Sequence, residues 1–341
     1  MARPQSAGVA AGSAAEVAAG VAKGVAAGGD AGSRRAATVV LAAGHESHGG
    51  RDLAGLLTAQ GSTAAPTAPA VAHAVAPAGR PLAEAVRSAL AAGDGPVCVV
   101  PMTLGRDPGL VADTARTLRW LAAEASTAEA STGEAPAARG RLALTAPFGA
   151  AEHLVGWLRA AAGPAPAGAV LITAPAAGPF EDAELFRIAR LVRQYGRHRW
   201  VEVAFEGGDP DPAEGAERCR LLGAQEVTAV PASFGRAPHH PADPAAPVRP
   251  DRVRDGGPLL RPSAIAGVIA ARTAAALHLL GHGEDGILAG LGAEHGHGYA
   301  HSHGPGEAHH PHPHPHPHPH PHPHPHPHPH PHAHPHAQIP H

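Results

Sequence analysis

Aromatic residues make up only 3% of this 341-residue chain, and there are two cysteines. With so few rings, the core has to be built from Ala, Val, Leu and Ile. Cys98 lies in the apolar run Val97-Cys98-Val99-Val100, and Cys219 has no Cys-x-x-Cys spacing to it. Both read as small buried hydrophobes rather than ligands or redox partners. The absence of a disulfide framework fits a reducing compartment. The formal net charge is −3 with histidines neutral, so no basic field favours nucleic acid or an anionic membrane. Residues 1–37 lack the unbroken apolar core of a signal peptide, and no later continuous apolar run reaches about 18 residues. The Gly-rich stretches lack a strand–GxGxxG–helix context, and no P-loop occurs. The expectation is a cytoplasmic protein with a flexible N-terminus, no organic cofactor, and neither nucleic-acid nor membrane partners.

What the chain does have is an internal duplication. Val100-Pro101-Met102-Thr103-Leu104-Gly105-Arg106-Asp107-Pro108 recurs as Val230-Pro231-Ala232-Ser233-Phe234-Gly235-Arg236-Ala237-Pro238, an offset of 130 residues with five identities. Ala83-Glu84 falls on Ala213-Glu214 and Val71 on Val201 at the same offset. One residue further, Val39–Gly44 lies over Val170–Pro175. Short β-branched runs at 38–43, 70–75, 96–100 and 141–145 read as strands of the first copy. Helical stretches near 52–60, 81–92, 108–124 and 150–162 separate or follow them. In the second copy, strands at 169–174, 200–205 and 226–230 alternate with helices at 181–195, 212–222 and 263–280. Apolar strands alternating with amphipathic helices predict an α/β protein of two repeated units, each a small parallel sheet with helices on both faces.

The insert 125–140 and the Pro-rich stretch 237–262 read as loops. The expected organisation is a disordered N-terminus (1–37), unit one (38–162), a linker (163–168), unit two (169–291) and a disordered His/Pro-rich tail (292–341). In open parallel sheets the ligand crevice lies beyond the carboxyl ends of the strands. This singles out Gly44-His45-Glu46-Ser47-His48 and Pro101–Asp107 in the first unit. In the second it singles out Pro175–Pro179, Glu206–Asp209 and Pro231–His240.

Leu41-Ala42-Ala43-Gly44-His45 resembles the first-strand motif of the sirohydrochlorin chelatases, which insert cobalt, iron or nickel into a modified tetrapyrrole. Phe186–Leu191, Val201–Phe205, Glu214–Cys219 and Leu222-Gly223-Ala224 are similar to the same family, whose long form is also duplicated. The resemblance implies a chelatase-like fold, a tetrapyrrole substrate and a divalent transition metal as the second substrate. It makes His45 the residue that receives metal and pyrrole protons, chemistry that a neutral imidazole suits. Ser47 keeps the serine of the family's Gly-His-Gly-Ser motif and is a candidate substrate-binding residue. Arg106 and Arg236, at repeated positions, are candidates to pair with substrate carboxylates, the alternative being a loop salt bridge with Asp107 or a neighbour. The family's third-strand histidine is missing from Gly105-Arg106-Asp107-Pro108, and Ala176 stands where the second copy would carry its own His45. His239 or His240, following the second copy of that motif, is expected to join His45 in one cleft between the units. Glu206 is the better carboxylate candidate of the pair Glu202 and Glu206, which overlie Ala72 and Ala76 in the first copy. His73 and His278 read as structural.

From Gly292 the composition changes, and His310-Pro311 begins a strict alternation that runs to His332. Proline at every second position forbids helix and leaves an extended chain. His310, His312, His314, His316, His318 and His320 typify a multivalent site for Zn, Cu, Ni or Co that protonation near pH 6 would empty. Two functions follow: a sirohydrochlorin chelatase supplied by its tail, or a non-catalytic nickel/cobalt chaperone or store on the same scaffold.

Overall fold

The computed structural model describes residues 37–54, 72–132, 140–163, 168–237 and 253–296. The His310–His320 series, His239 and His240 lie outside these residues, as do the side chain of His73 and both ends of the chain.

Among the described residues, eight strands form two four-stranded parallel sheets flanked by helices. The first holds β1 (Thr38–Ala43), β2 (Ala72–Pro77), β3 (Val97–Met102) and β4 (Leu142–Leu144) in the order β2-β1-β3-β4. The second holds β5 (Ala169–Pro175), β6 (Trp200–Glu206), β7 (Val227–Pro231) and β8 (Val253–Asp255) in the matching order β6-β5-β7-β8. In each sheet the chain leaves the first strand to one side and then returns to the other. The crevice beyond β1 and β3, or β5 and β7, is therefore the topological switch point.

Two elements differ from the sequence reading. The 237–262 segment contains β8, which pairs in parallel with β7 through Val253, Arg254 and Asp255. It is three residues long at a sheet edge, too short to show a period. The helix beginning at Pro108 runs on to Thr132 through residues read as a loop. Ala and Glu favour helix there, and the first breaker is Gly133.

Strand register also refines the duplication. Thr38 pairs with Ala72, and its counterpart Ala169 pairs with Trp200. Glu202 and Glu206 therefore stand over Ala74 and Ala78, two residues beyond the positions that sequence matching gives, because the connections leading to β2 and β6 differ in length. The one-residue step at β1 is seen directly, since Thr38 faces Val97 while Ala169 faces Val227.

The helices are α1 (Arg80–Ala92), α2 (Pro108–Thr132), α3 (Ala151–Ala162), α4 (Pro179–Tyr195), α5 (Pro212–Leu221), α6 (Pro262–Gly281) and α7 (Ile287–Leu291). Alternation along the strands divides the core. Val40, Ala42, Val97 and Val99 face a layer containing Leu82 and Val86 of α1, Leu118 of α2 and Ile287 of α7. Val39, Leu41, Cys98 and Val100 face the other way and share one cluster with Val170, Ile172, Val201 and Val203 of the second sheet. The two halves thus have a common core, filled by Leu154 and Leu158 of α3, Leu185 and Ile188 of α4, and Ile265 and Ile269 of α6.

The last large helix of each half crosses to the other half's sheet: α3 packs near β7, and α6 against β3 and β4. Although α6 has the length and composition of a membrane span, it turns Ile265, Ile269, Thr273 and Ala276 inward. Cys98 and Cys219 are buried free thiols; burial pushes both up to about 12, with Glu202 adding to the effect at Cys219.

Candidate functional site

β1 ends at Gly44, and the chain turns through a 3-10 segment, His45–Gly50, into the crevice. The turn sits where the two halves meet, since the Phe234 amide donates to the Glu46 carbonyl at 2.9 Å. Gly44 is needed for its absence of a side chain, because a Cβ there would lie 2.5 Å from Asp107 Oδ2. That oxygen is 3.0 Å from His45 Nδ1, and the His45 side chain is half-buried. The other Asp107 oxygen, Oδ1, accepts the Leu110 amide at 2.8 Å and caps α2. Burial alone would raise the Asp107 pKa. The hydrogen bond and charge of His45, the Leu110 amide and the Arg106 charge outweigh it and hold the group below its ordinary value. A carboxylate at Nδ1 selects the tautomer protonated there and leaves the Nε2 lone pair available. His45 Nε2 is buried and finds no partner among the described residues.

Glu46 is fully buried. Its Oε2 accepts from Thr103 Oγ1 at 2.5 Å and from the Leu104 amide at 2.9 Å, while Oε1 has no partner. Burial raises its pKa above the ordinary carboxylate value; the charges of Arg106 and His45 and the two hydrogen bonds offset this only in part. Thr103 Oγ1 also accepts the Gly105 and Asp107 amides, which shapes the loop after β3.

His48 adopts a left-handed backbone, φ 48°, uncommon for a residue with a Cβ. Its Nδ1 lies 2.7 Å from Asp52 Oδ2, and its Nε2 lies 3.3 Å from Glu206 Oε2 at the end of β6. Glu206 Oε1 is buried without a partner.

The turn that begins at His45 meets Glu206 of the opposite half through His48. Ser47 and Arg106, expected to meet substrate, are both buried. Ser47 is buried and donates to the Gly44 carbonyl at 3.1 Å, so its hydroxyl shapes the turn. Arg106 is 1% exposed, donates to the Glu181 carbonyl at 3.3 Å and lies 3.4 Å from Asp182, which ties the first half to the start of α4. Its Nη1 is buried and finds no partner among the described residues. Arg236 is exposed and lies 3.6 Å from Asp255, the salt-bridge alternative. His278 is exposed on α6, its ring 4.8 Å from that of His282.

Sequence reasoning passed over His48, Asp52 and Asp107 as site residues. Their signal was the spacing of His45, His48 and Asp52 after a strand-end glycine. Among the described residues, no group of three or more His, Cys, Asp or Glu is arranged to hold a metal ion.

Solved structures similar to this chain include the following three. A sirohydrochlorin chelatase, SirB, from Bacillus subtilis subspecies spizizenii in complex with cobalt shares 15% identity at a TM-score of 0.39, covering 74% of this chain and 97% of that one. A multi-domain Deinococcus radiodurans protein, described as structurally similar to chelatases with two additional novel domains, shares 21% identity at a TM-score of 0.39, covering 70% of this chain and 55% of its own. SirB from Bacillus subtilis with Fe3+ shares 15% identity at a TM-score of 0.36, covering 58% and 76%. No protein-family model and no curated protein matches the chain. What the chain does is therefore read from its own residues.

Proposed function

We propose that this chain is a cytoplasmic lyase that inserts a divalent metal, cobalt or else iron or nickel, into sirohydrochlorin. The observation that supports this is His45: an imidazole in the switch-point crevice, with Nδ1 against the Asp107 carboxylate and Nε2 buried and unpartnered. Metallation exchanges two pyrrole N–H protons for one divalent ion. The Nε2 lone pair accepts a proton, Asp107 stabilises the resulting imidazolium, and the proton passes to solvent before the next transfer. Glu206, at the strand end of the opposite half, supplies an oxygen to the incoming ion. The tail raises the local metal concentration, and His239 or His240 joins His45 as a further ligand.

The test is to mix full-length protein with sirohydrochlorin and Co(II), Fe(II) or Ni(II) and follow the absorbance change on metallation. Acceleration over the uncatalysed rate is expected. It should be lost in His45→Ala, kept in His73→Ala and slowed in the His239→Ala/His240→Ala double variant. Full-length protein no faster than buffer would sink the enzyme reading.

The second reading, a nickel/cobalt chaperone or store, is favoured by one feature: the loop Gly105–Pro108 carries no histidine. It predicts stoichiometric metal uptake with no metallation. Replacing the histidines of 310–332 by serine in the full-length chain should abolish most uptake under that reading. Under the enzyme reading it should only raise the metal concentration needed.

A further inference from the structure

Arg272 is the sole Asp, Glu, Lys or Arg in α6, and the His45 chemistry does not use it. Its side chain is half-buried against the loop that follows β4. Among the described residues, Nε is buried with no partner, Nη2 reaches only the Phe148 carbonyl at 3.5 Å, and no carboxylate pairs with the group. Burial holds its pKa below the ordinary arginine value. A guanidinium carries five N–H donors in a planar fork, and desolvating it without an anion is costly. Arg106 and Arg236 each have a carboxylate beside them, whereas Arg272 keeps its donors to offer.

His153, in the first turn of α3, is a second donor beside it. Its Nδ1 accepts the Ala150 amide at 3.1 Å, which puts the imidazole proton on Nε2. Burial and the nearby Arg272 charge, against Glu152, hold its pKa below the ordinary value and keep it in that neutral form. The ring stacks on Trp157 at 5.6 Å and 22°. Gly149 makes room for that indole, since a Cβ there would meet it at 2.9 Å. Contacts lead from this cluster to the crevice. Trp157 lies 5.7 Å from Phe148, and Phe148 lies 5.1 Å from Phe234, whose amide holds the Glu46 carbonyl. The Phe148 and Gly149 amides donate to the Pro101 and Thr103 carbonyls at 2.9 and 2.8 Å, so the same loop borders the end of β3.

We propose that Arg272 and His153 form a subsite for one peripheral carboxylate of a flat, conjugated acid, with the aromatic cluster as its wall. The guanidinium fork takes the two oxygens side by side, and His153 Nε2–H adds a neutral donor. Glu152 on the same turn as His153 favours a singly charged carboxylate over a phosphate dianion. That the carboxylate belongs to sirohydrochlorin rests on the chelatase reading; the subsite itself does not.

The test titrates the full chain, metal-free in EDTA, with uroporphyrin, a stable acidic tetrapyrrole, and with its methyl ester, and follows the porphyrin absorbance. Arg272→Gln should weaken uroporphyrin binding about 10–100-fold, the worth of hydrogen bonds to a charged group, and leave the ester unaffected. Arg272→Lys should recover part of the loss. His153→Phe keeps a ring on Trp157 but no N–H, and should weaken binding about 3–10-fold. Because the guanidinium has no anion to lose, the urea midpoint of Arg272→Gln should not fall. A lower midpoint with equal losses for acid and ester overturns the subsite and makes Arg272 a prop for Phe148. Uroporphyrin binding that is absent, or that Arg272→Gln leaves intact, overturns it as well. Displacement by inorganic phosphate more readily than by succinate overturns the choice of a carboxylate. Arg272-dependent binding in a protein that does not metallate sirohydrochlorin keeps the subsite and removes the chelatase reading. Metallation with an unchanged KM for sirohydrochlorin in Arg272→Gln does the reverse.

Discussion

The two halves share strand order, register and crossing helices, yet place different chemistry at equivalent points. After β3, Thr103 Oγ1 donates to the Glu46 carboxylate and accepts two loop amides. After β7, Ser233 occupies the repeated position, but the loop beyond β5 has alanines where the first half has His45 and Glu46. Its hydroxyl is buried without a partner among the described residues. The loops were copied together, but only one copy keeps the ionisable groups that give the hydroxyl something to bind. The second half contributes instead at its β6 end, through Glu206, where the first half has only alanine. One crevice assembled from both halves, rather than two crevices, is the arrangement this asymmetry describes.

The comparison breaks first at His45. If the chemistry resides in the first copy, His45→Ala should lower the metallation rate about 10²–10⁴-fold, the usual range for a positioned general base. Ala176→His should leave the rate unchanged, because Ala177 and Ala237 supply no counterpart of Glu46 or Asp107. A rate gain in Ala176→His would show two functional crevices.

Glu46 is the next test, read in stability by urea unfolding. Glu46→Ala leaves two buried donors, the Thr103 hydroxyl and the Leu104 amide, unpaired and opens a cavity, and should cost about 2–5 kcal/mol. Glu46→Gln is milder, and its pH dependence has a definite sign. A carboxyl whose native pKa is raised contributes stability below its ordinary value and loses it as pH rises through the native value. Wild type should therefore lose ground to the non-titrating glutamine variant as pH increases. An unchanged difference across that range would remove the raised pKa from the account.

Thr103 and Ser233 give the paired comparison directly. Thr103→Ala removes a hydroxyl with three partners and should cost about 1–3 kcal/mol by leaving buried groups unsatisfied. Ser233→Ala removes one with none and should shift stability by less than about 0.5 kcal/mol. Equal losses would mean that the second loop is satisfied by ordered water, and that the halves differ less than the contacts indicate.

Much of this was legible in the sequence, because strands buried on both faces read as apolar runs. Val39–Ala43, Val97–Val100 and Val170–Ala174 fall within about two residues of the observed strands, and the repeat at Val100–Pro108 leads to the common sheet order. The losses have physical causes. β8 is an edge strand too short to carry a pattern. His48 has only its spacing to Asp52 as a local signal, because its other partner, Glu206, is 158 residues away. Arg106, expected from its repeated position to meet substrate carboxylates, and Ser47, expected there from the family motif, are buried. They point inward because the shared core continues up to the crevice and its polar groups need partners there.

Asp107 has a small expected effect on stability and separates folding from function most sharply. One oxygen caps α2 and the other holds His45, whereas its counterpart Ala237 does neither. Asparagine caps a helix about as well as aspartate, so Asp107→Asn should cost only about 0.3–1 kcal/mol, the value of a negative charge at a helix N-terminus. A group whose native pKa is depressed stabilises the fold above its ordinary value and stops doing so as pH falls through the native one. The wild-type advantage should therefore shrink toward acid, and the two unfolding curves should converge. Metallation should respond differently. An amide presents either an N–H to Nδ1, which reverses the tautomer, or a neutral oxygen that no longer stabilises the imidazolium, so the rate should fall far more than stability does. A rate loss no larger than the stability loss would reduce Asp107 to a helix cap and leave His45 without its orienting partner.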